Sequence, residues 1–420
     1  MAKARHHVII GAGPAGVLAA DTLRQRDPDS RITLVSGEKE PPYSRMAIPY
    51  LLANHIGEDG TYLRQDPAHF SDSSIEVVHA RAKRIDPKKK SVTLEKGKPL
   101  KYDRLLLATG ASPIMHPVPG LDLPGVCTCW TIEDARAIAD RALKGDEVVL
   151  MGAGFIGSII LEALVERGVK LTVVEMADRM ISHMMDETAS AMLKRWCEDK
   201  GIRVLTGTRI NEITRGKSRL DAVLSTGKVI SAKLVVVAAG VAPNIGFLKG
   251  SGIKTDQGIK VNGYLRTSAK DVYAAGDVAQ AKDMSTGEFS VLAIQPVAAD
   301  HGRIAALNMA GERTPHEGSL NMNVLDTLGL ISSSFGKWDG VEGGSNARMH
   351  DDAGNRYLRL EFDDDRLIGV QAVGITDHIG IARGLIQTAQ RLGRWKDKLI
   401  KSPERLAEAY IATAHGVPPV

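Results

Sequence analysis

Two glycine-rich turns constrain the fold of this chain more than any other feature. Each follows an apolar run typical of a buried strand: His7–Ile10 precedes Gly11–Gly16, and Val148–Met151 precedes Gly152–Gly157. Both turns have the spacing G-x-G-x-x-G, in which a strand turns into a helix whose N-terminus can hold a pyrophosphate. One such turn is a weak signal, because glycine-rich turns are common. Two of them predict that one polypeptide binds two nucleotides and transfers electrons between them.

The glycines of each turn have distinct predicted roles. The first allows the tight turn, the second lets backbone approach the pyrophosphate, and the third lets the helix pack closely on the strand. The residues that open each helix are expected to contact the bound nucleotide as well. The predicted contacts are Gly11, Gly13, Pro14, Ala15 and Gly16 in the first turn, and Gly152, Gly154, Phe155, Ile156 and Gly157 in the second.

An acidic residue at the end of the next strand is expected to accept the ribose hydroxyls. Glu175 fits this position after the second turn. The first turn matches less closely, because Ser36 and Gly37 stand where an acid is expected and Glu38 comes two positions after the serine. The alternative interpretation, an ordinary strand–turn–helix with packing glycines, is weaker at the second turn than at the first.

Composition excludes several classes of protein. The 420 residues allow two or three domains, and a net charge of +4 is too small to indicate nucleic-acid binding. The basic run from Lys83 to Lys90 is interpreted as a solvated turn. No apolar stretch approaches the roughly 20 residues of a membrane helix, and the first residues have no signal-like apolar region. Three cysteines do not make a disulfide framework. We therefore expect a cytoplasmic protein.

The strand pattern after the first glycine turn is repeated after the second, and a different pattern of elements follows beyond Gly318. The strand-like segment 105–113 after the first turn resembles 235–243 after the second, and in both small residues allow close passage of a dinucleotide. Alternating strands and helices predict parallel sheets. Beyond Gly318, a hairpin of 357–362 and 367–374 and helices over about 378–392 and 402–413 indicate a small α+β module. Asp363–Asp365 is interpreted as the hairpin tip, and no metal site is predicted.

These residues together resemble the pyridine nucleotide–disulfide oxidoreductase family of flavoproteins along nearly the whole chain. Tyr102–Gly110 resembles the family's first closing motif, Asp271–Val278 its second FAD motif, and Gln295–Ala298 the start of a helix beneath the flavin. The resemblance implies an α/β fold of two Rossmann-like domains. The implied FAD domain is discontinuous (1–117 and 248–318), the NAD domain is inserted at 118–247, and a C-terminal α+β interface domain spans 319–420.

The resemblance also implies further cofactor contacts. For FAD these are Ser36, Gly37, Glu38, Arg45, Ala82, Ala108, Thr109, Gly110, Gly276, Asp277, Pro296, Val297 and Ala298, with Asp277 on the ribityl chain. For NAD they are Glu175, Ala239 and Gly240. Glu175 should repel a 2′-phosphate, which favours NADH over NADPH; Arg179 is the one nearby cation and weakens that preference slightly.

The chain departs from its relatives at the redox cysteine. Met46 stands where several members of the family carry that cysteine, and a thioether forms neither a thiolate nor a mixed disulfide. Cys127 and Cys129 lie in a strand-like run and Cys197 in a helical pattern, so all three are expected to pack. Thiol chemistry over the flavin is therefore excluded at this position.

Acid–base residues are not clearly indicated. Tyr50 and Ile159 stand where related reductases often carry a lysine and a glutamate near the flavin. The candidates for residues near the flavin are Arg45, Tyr50 and Pro296, with no certain catalytic residue. Tyr50 either contacts the nicotinamide or only fills space. His301 contacts the flavin ring or a partner subunit in one interpretation, and in the favoured one it is a satisfied surface histidine.

The function expected from the resemblance is FAD-dependent oxidation of NADH. Without a redox cysteine, electrons pass directly between FAD and a small redox carrier such as a rubredoxin or ferredoxin, in either direction. One alternative is an oxidase or diaphorase that reduces oxygen, a quinone or a small electrophile. Another is a flavin scaffold that senses NADH. The family resemblance also implies a homodimer.

Overall fold

The computed structural model describes residues 4–414, and the chain forms two compact units. Unit 1 comprises Met1–Ala47, Ile56–Ser112 and Val241–Ser319. Unit 2 comprises Ile48–His55, Pro113–Gly240 and Leu320–Val420. Each unit is thus assembled from three separate segments of chain. The three-domain division expected from the sequence stays a prediction.

Unit 1 is built on a five-stranded parallel sheet with the strand order β19-β7-β1-β2-β3. Its central strands form because their residues are almost all apolar and are covered on both faces; Val8, Ile9 and Leu105–Leu107 are fully buried. The strands are β1 (His6–Ile10), β2 (Arg31–Ser36), β3 (Ile75–His79), β7 (Arg104–Leu107) and β19 (Val272–Ala274).

Three helices and smaller sheets complete unit 1. Helix α1 begins at Pro14, whose fixed φ and missing N–H suit a first helical position. The helices are α1 (Pro14–Arg26), α3 (His69–Asp72) and α7 (Gln295–Ala310). The sheets contain β4 (Ala82–Asp86), β5 (Ser91–Leu94) and β6 (Leu100–Lys101), and β18 (Ile259–Lys260), β20 (Ala279–Lys282) and β21 (Phe289–Ser290). Only the last part of the basic run, 87–90, is the predicted turn between β4 and β5, since Lys83 and Arg84 lie in β4.

Unit 2 repeats the design in its first half, with a five-stranded parallel sheet of order β12-β11-β10-β16-β9 and a three-stranded antiparallel sheet. The parallel strands are β9 (Val126–Thr128), β10 (Glu147–Met151), β11 (Lys170–Val174), β12 (Arg203–Leu205) and β16 (Leu234–Val237). The antiparallel strands are β13 (Ile210–Arg215), β14 (Leu220–Leu224) and β15 (Val229–Ala232). The helices are α2 (Ile48–Leu52), α4 (Ile132–Arg141), α5 (Phe155–Glu166) and α6 (Glu187–Asp199).

The last part of unit 2 is an antiparallel sheet of order β22-β23-β26-β25-β24 with three short helices. The predicted hairpin is confirmed as β25 and β26, with Asp364 at its tip in a left-handed conformation (φ 52°). The strands are β22 (Met322–Thr327), β23 (Leu330–Gly336), β24 (Ser345–Asp351), β25 (Arg356–Asp363) and β26 (Arg366–Val373). The helices are α8 (Ile379–Gln387), α9 (Trp395–Lys401) and α10 (Leu406–Ala414).

The helix predicted over 378–392 is too long. It ends at Gln387 because Ala389 turns into the left-handed region (φ 49°), and Gly393 does the same (φ 52°) before α9 begins. The short strands β8 (Ala111–Pro113) and β17 (Val241–Pro243) stand at segment ends where the chain passes from one unit to the other. The predicted α/β fold class with parallel, Rossmann-like sheets is confirmed. No helix in the described part of the chain is long and apolar enough to cross a membrane.

Candidate dinucleotide sites

The register of the parallel strands brings distant residues to one edge of the unit 1 sheet. Ile10 pairs with Val35 on one side and with Leu107 on the other, and Leu107 pairs in turn with Ala274. The residues that come next after these paired positions are therefore neighbours: Gly11, Ser36, Ala108 and Ala275. Ligands of open α/β sheets bind at this carboxyl edge.

The first glycine turn has the geometry that its spacing predicts. Gly11 has φ 113°, and a Cβ there would lie 2.0 Å from the carbonyl oxygen of Ala108. A Cβ at Gly16 would lie 1.9 Å from the carbonyl oxygen of Gly11, so only glycine lets α1 pack this closely. Gly13 differs, since no heavy atom lies within 4 Å of a Cβ built there. The first and third glycines are thus required by the fold itself, and the second is not.

A polar network lies beyond the end of β2. Ser36 Oγ donates to the carbonyl oxygen of Glu38 at 3.2 Å. The carboxylate of Glu38 accepts hydrogen bonds from the hydroxyl of Tyr43 and from the guanidinium of Arg45. Arg45 also donates to Tyr43 Oη at 3.0 Å. The sequence predicted Ser36, Glu38 and Arg45 as contacts of FAD but did not indicate Tyr43.

Helix α7 starts as predicted from Gln295 and Pro296, with Pro296 in its first turn. The side-chain oxygen of Gln295 accepts a hydrogen bond from Ser44 Oγ at 2.5 Å. Val297 and Ala298 are buried in the first turn, and no acidic residue lies there. The helix therefore presents free backbone N–H groups and the positive end of its dipole.

Asp277 lies in a short 3₁₀ helix, Gly276–Val278, just after β19. Burial raises the pKa of its carboxyl group, and the positive charge of Arg45 acts in the opposite direction. Gly276 has φ 74°, and a Cβ there would contact the Cβ atoms of Ala15 and Ala298 at 3.2 and 3.3 Å. Asp277 is thus held by tight packing beside both helix starts.

Three further predicted FAD residues lie in unit 1. Thr109 Oγ1 donates to the carbonyl oxygen of Asn244 at 3.0 Å, and Gly110 has φ 62°. Ala82 begins β4 and pairs with Leu94. Of these, Thr109 and Gly110 directly follow Ala108 at the carboxyl edge, whereas Ala82 lies on a separate small sheet.

The second glycine turn in unit 2 repeats this geometry. Gly152 has φ 107°, and a Cβ on Gly157 would lie 2.2 Å from the carbonyl oxygen of Gly152. No heavy atom lies within 4 Å of a Cβ on Gly154. Phe155 and Ile156 open α5, and Ala239 and Gly240 follow the end of β16 beside the turn.

Glu175 directly follows β11 at the same edge. One carboxylate oxygen accepts the N–H of Ala153 at 2.6 Å, and the other accepts the N–H of Ala177 at 2.7 Å. The side chain of Glu175 is therefore tied to the glycine turn by two charge-assisted hydrogen bonds. The one cation noted nearby, Arg179, pairs with Asp178 at 2.9 Å.

By the family resemblance, Met46, Tyr50 and Ile159 stand where related proteins carry a cysteine, a lysine and a glutamate. The first two of these side chains are exposed, and the third is aliphatic. Met46 is 44% exposed in unit 1 and Tyr50 is 57% exposed in unit 2. The Tyr50 ring lies 6.4 Å from the ring of His55, which pairs with Glu166 at 3.0 Å. Ile159 is a residue of α5. No ionisable side chain stands at positions 46 and 159.

All three cysteines are free thiols. Burial raises the pKa of Cys127 and of Cys197 to about 12, and it raises the pKa of Cys129 as well. Cys129 and Cys197 are buried and Cys127 is half-buried, which confirms that they pack. A thiol whose pKa is raised carries almost no thiolate at neutral pH and is a poor nucleophile.

The interpretation of His301 as a surface residue is wrong. It is 2% exposed, and its Nε2 lies 3.1 Å from Ser319 Oγ. His316 Nε2 lies 3.0 Å from the same hydroxyl, and the two rings meet edge to face at 4.7 Å. Burial lowers the pKa of His301 to about 3. The error arose because burial depends on the packing of α7 against a loop that the local sequence does not specify.

Comparison with known proteins identifies the family. Residues 5–302 match the family described as pyridine nucleotide-disulphide oxidoreductase. The chain belongs to this family. As a family member it is an oxidoreductase that uses FAD and NADH.

Two relatives and one solved structure show what kinds of protein the chain is similar to. The chain is 30% identical over 400 residues to the NADH-dependent phenylglyoxylate dehydrogenase subunit epsilon of Aromatoleum evansii, covering 94% of this chain and 95% of the relative. It is 33% identical to an NADH oxidase of Methanocaldococcus jannaschii, covering 72% and 70%. The crystal structure of a ferredoxin reductase from Rhodopseudomonas palustris superposes with a TM-score of 0.83 at 29% identity, covering 90% and 93%.

Proposed function

We propose that this flavoprotein oxidises NADH and passes the electrons from FAD to a small redox carrier protein without any sulfur intermediate. When bound, FAD accepts a hydride from NADH and can release the two electrons one at a time. The carrier is proposed to be a rubredoxin, a ferredoxin or a protein of similar size and chemistry. The protein's own contribution is to bind and align the two dinucleotides.

The observation that carries this proposal is the state of the thiols. By the family resemblance, Met46 stands where other members carry the redox cysteine, and burial raises the pKa of each of the three cysteines. A disulfide relay needs a thiolate at neutral pH. We therefore infer that electrons pass from FAD to the acceptor without an intermediate thiol or disulfide.

The residues of the unit 1 edge fit FAD. The free space beside Gly13 and the N–H groups at the start of α1 suit a pyrophosphate. We propose that Glu38, within its network with Tyr43 and Arg45, accepts the adenosine ribose hydroxyls. Asp277 would accept hydrogen bonds from the ribityl hydroxyls. The N-terminus of α7, around Pro296, would stabilise negative charge on the reduced ring.

The residues of the unit 2 edge fit NADH. Gly154 leaves the same free space for a pyrophosphate at the start of α5. Because Glu175 is fixed by two backbone N–H groups, its carboxylate stays beside the turn, where it accepts ribose hydroxyls and repels a 2′-phosphate. This arrangement supports a preference for NADH over NADPH.

A stopped-flow experiment tests the carrier proposal. The FAD-loaded protein is reduced with NADH under anaerobic conditions and mixed with air, with a rubredoxin or with a plant-type ferredoxin. We expect at least one carrier to reoxidise the flavin much faster than oxygen does. Reoxidation by air at tens per second, of the order of typical turnover numbers, together with inert carriers, would instead identify an NADH oxidase.

A second candidate is an electron-transfer subunit of a larger redox enzyme. It is favoured because a relative that matches 94% of the chain is named as a subunit of a dehydrogenase. In that case the acceptor or donor is a resident partner subunit. Purification of the native protein at low salt would show co-migrating subunits whose centres are reduced by NADH, whereas a carrier reductase would purify alone.

We also propose the three-domain division of the sequence analysis, a homodimer formed through residues 319–420, and a cytoplasmic location. These rest on the family resemblance. Light scattering of the FAD-loaded protein tests the dimer, with a mass near 45.1 kDa contradicting it. Cell fractionation with marker enzymes tests the location, and recovery in the membrane or culture fluid would contradict it.

A further inference from the structure

A cationic pocket lies in unit 1 at the amino edge of the parallel sheet. Its two adjoining lobes measure about 430 and 310 Å³ and share Arg266, Asn262 and Asn308 in their walls. Arg104 and Asp271 line the larger lobe, and they begin or precede β7 and β19. Ala108 and Asp277 follow the opposite ends of these strands, at the edge of the sheet where the glycine turn follows β1. The pocket is therefore separate from the proposed FAD site.

Three cations of the pocket have no acidic partner. Arg104 and Lys90 share Asp271, at 2.7 and 2.5 Å. By contrast, no ion pair joins Arg266, Arg313 or Lys270 to a carboxylate within residues 4–414. All three side chains are exposed. The pocket thus keeps an excess of positive charge that the protein itself does not neutralise.

Aromatic rings fix the orientation of the two unpaired arginines. Arg266 lies over the rings of Tyr264 and Tyr273, at 6.0 and 5.8 Å from their centroids. Arg313 lies 5.1 Å from the Tyr264 ring and donates its Nε–H to the Tyr264 hydroxyl at 2.9 Å. Stacking of this kind holds a guanidinium through its face, and it leaves the N–H edge of Arg266 and the two Nη groups of Arg313 available to a bidentate acceptor.

The end of α7 does not account for these arginines. The helix closes on Gly311 in a left-handed conformation, with the N–H groups of Gly311 and Glu312 bonded to the carbonyl oxygen of Leu307 at 3.1 and 2.9 Å. The carbonyl oxygen of Asn308 accepts from the Tyr273 hydroxyl at 3.3 Å. These terminal carbonyls are already satisfied and need no cationic cap.

The surrounding surface has the same sign of charge. Residues 81–104 contain ten Lys and Arg and three Asp and Glu, a local net charge of +7, whereas the whole chain carries +4. This segment forms β4, β5 and β6 and reaches the pocket through Lys90 and Arg104. A small anion would be drawn toward this face by its field.

We propose that this pocket binds a phosphate-bearing anion, held by the N–H edges of Arg266 and Arg313 with Lys270 adding charge. Arginine forks match the tetrahedral oxygens of phosphate better than a point charge does. Inorganic phosphate, pyrophosphate and a nucleoside diphosphate share this chemistry. The site is distinct from both dinucleotide sites.

Isothermal titration of the FAD-loaded protein tests the proposal, with NAD⁺ present at saturation so that the NADH site is filled. Phosphate, pyrophosphate and ADP are titrated separately. Binding of ADP identifies a nucleotide as the type of ligand. Binding of phosphate or pyrophosphate without binding of ADP identifies a free inorganic ion. We expect Arg266→Gln to weaken binding at least about tenfold and the double variant Arg266→Gln/Arg313→Gln to weaken it about a hundredfold.

Two matched variants complete the test. Lys98→Gln removes a charge from the same basic segment outside the pocket and should leave affinity nearly unchanged. Arg266→Lys keeps the charge without the fork and should fall between wild type and Arg266→Gln. All variants should retain bound FAD and its reduction by NADH. The proposal is overturned if none of the three anions binds, or if Lys98→Gln weakens binding as much as Arg266→Gln does.

Discussion

Alanine at the second glycine of each turn should separate the two dinucleotide sites cleanly. Gly13 has φ −80° and Gly154 has φ −74°, both ordinary values for alanine, and no heavy atom lies within 4 Å of either new Cβ. Neither Gly13→Ala nor Gly154→Ala should therefore disturb folding. This distinguishes them from Gly16→Ala, whose Cβ would lie 1.9 Å from a backbone oxygen.

The expected effect on the cofactors follows from the space that each methyl group occupies. A Cβ at Gly13 lies where the pyrophosphate of FAD is proposed to contact the turn, and it should remove one charge-assisted hydrogen bond or more. Such a bond contributes about 1.5–3 kcal/mol, which corresponds to a Kd raised about 10- to 150-fold. Gly154→Ala should raise the Kd of NADH by a similar factor and leave the FAD content unchanged.

The assay compares three purified variants. The ratio of flavin to protein after dialysis, measured from the visible spectrum, reports FAD binding, and anaerobic titration with NADH reports the second site. Gly380→Ala on α8 is the control, since it also has no heavy atom within 4 Å of its Cβ and belongs to neither glycine turn. The reasoning is refuted if a folded Gly13→Ala protein holds FAD as tightly as wild type, or if Gly154→Ala loses FAD.

Three further predictions concern single side chains. Glu175→Gln should lower kcat/KM for NADH about tenfold and reduce the preference over NADPH, because the fixed negative charge is lost; an unchanged NADH/NADPH ratio in steady-state kinetics would contradict this. The folded pKa of His301 is about 3 and its unfolded value about 6.5, so the unfolded state binds more protons between these values and stability falls as pH decreases below 6.5. At pH 5 His301 should cost about 2 kcal/mol relative to pH 8, and urea unfolding of His301→Gln should lack that part of the pH dependence. Cys127, Cys129 and Cys197 should resist Ellman's reagent in the native protein at neutral pH and react only after denaturation, and rapid native labelling would show that a thiolate is accessible.

Local rules predicted the parts of the fold that depend on neighbouring residues. The turns at Gly11 and Gly152 and the start of α7 at Gln295 follow from positive φ, close approach and a first-turn proline. The β25–β26 hairpin follows from alternating apolar residues around a polar tip. The sequence signal for each lies within a few residues, although the close approaches at Gly11 and Gly152 are to segments that parallel strand pairing brings there.

The features that the sequence did not reveal depend on contacts between distant segments. The burial of His301 requires Ser319 and His316 to fold back over α7. Tyr43 is the exception: it is near Glu38 and Arg45 in sequence, but no periodic pattern specifies the irregular loop after β2 that brings their side chains together. The cationic pocket brings together Arg104, Arg266 and Arg313, which no spacing rule connects. The sequence contained one indication of this pocket, which is the excess of positive charge in residues 81–104.

The most direct test of the central claim is the anaerobic reduction of a protein that contains no thiols. The triple variant Cys127→Ala/Cys129→Ala/Cys197→Ala, loaded with FAD, is mixed with NADH and the visible flavin band is followed, before the carrier is added in a second step. We predict bleaching and onward electron transfer at the rates of the wild-type protein. A folded, flavin-loaded variant that fails either to bleach or to reduce the carrier would contradict direct transfer from FAD.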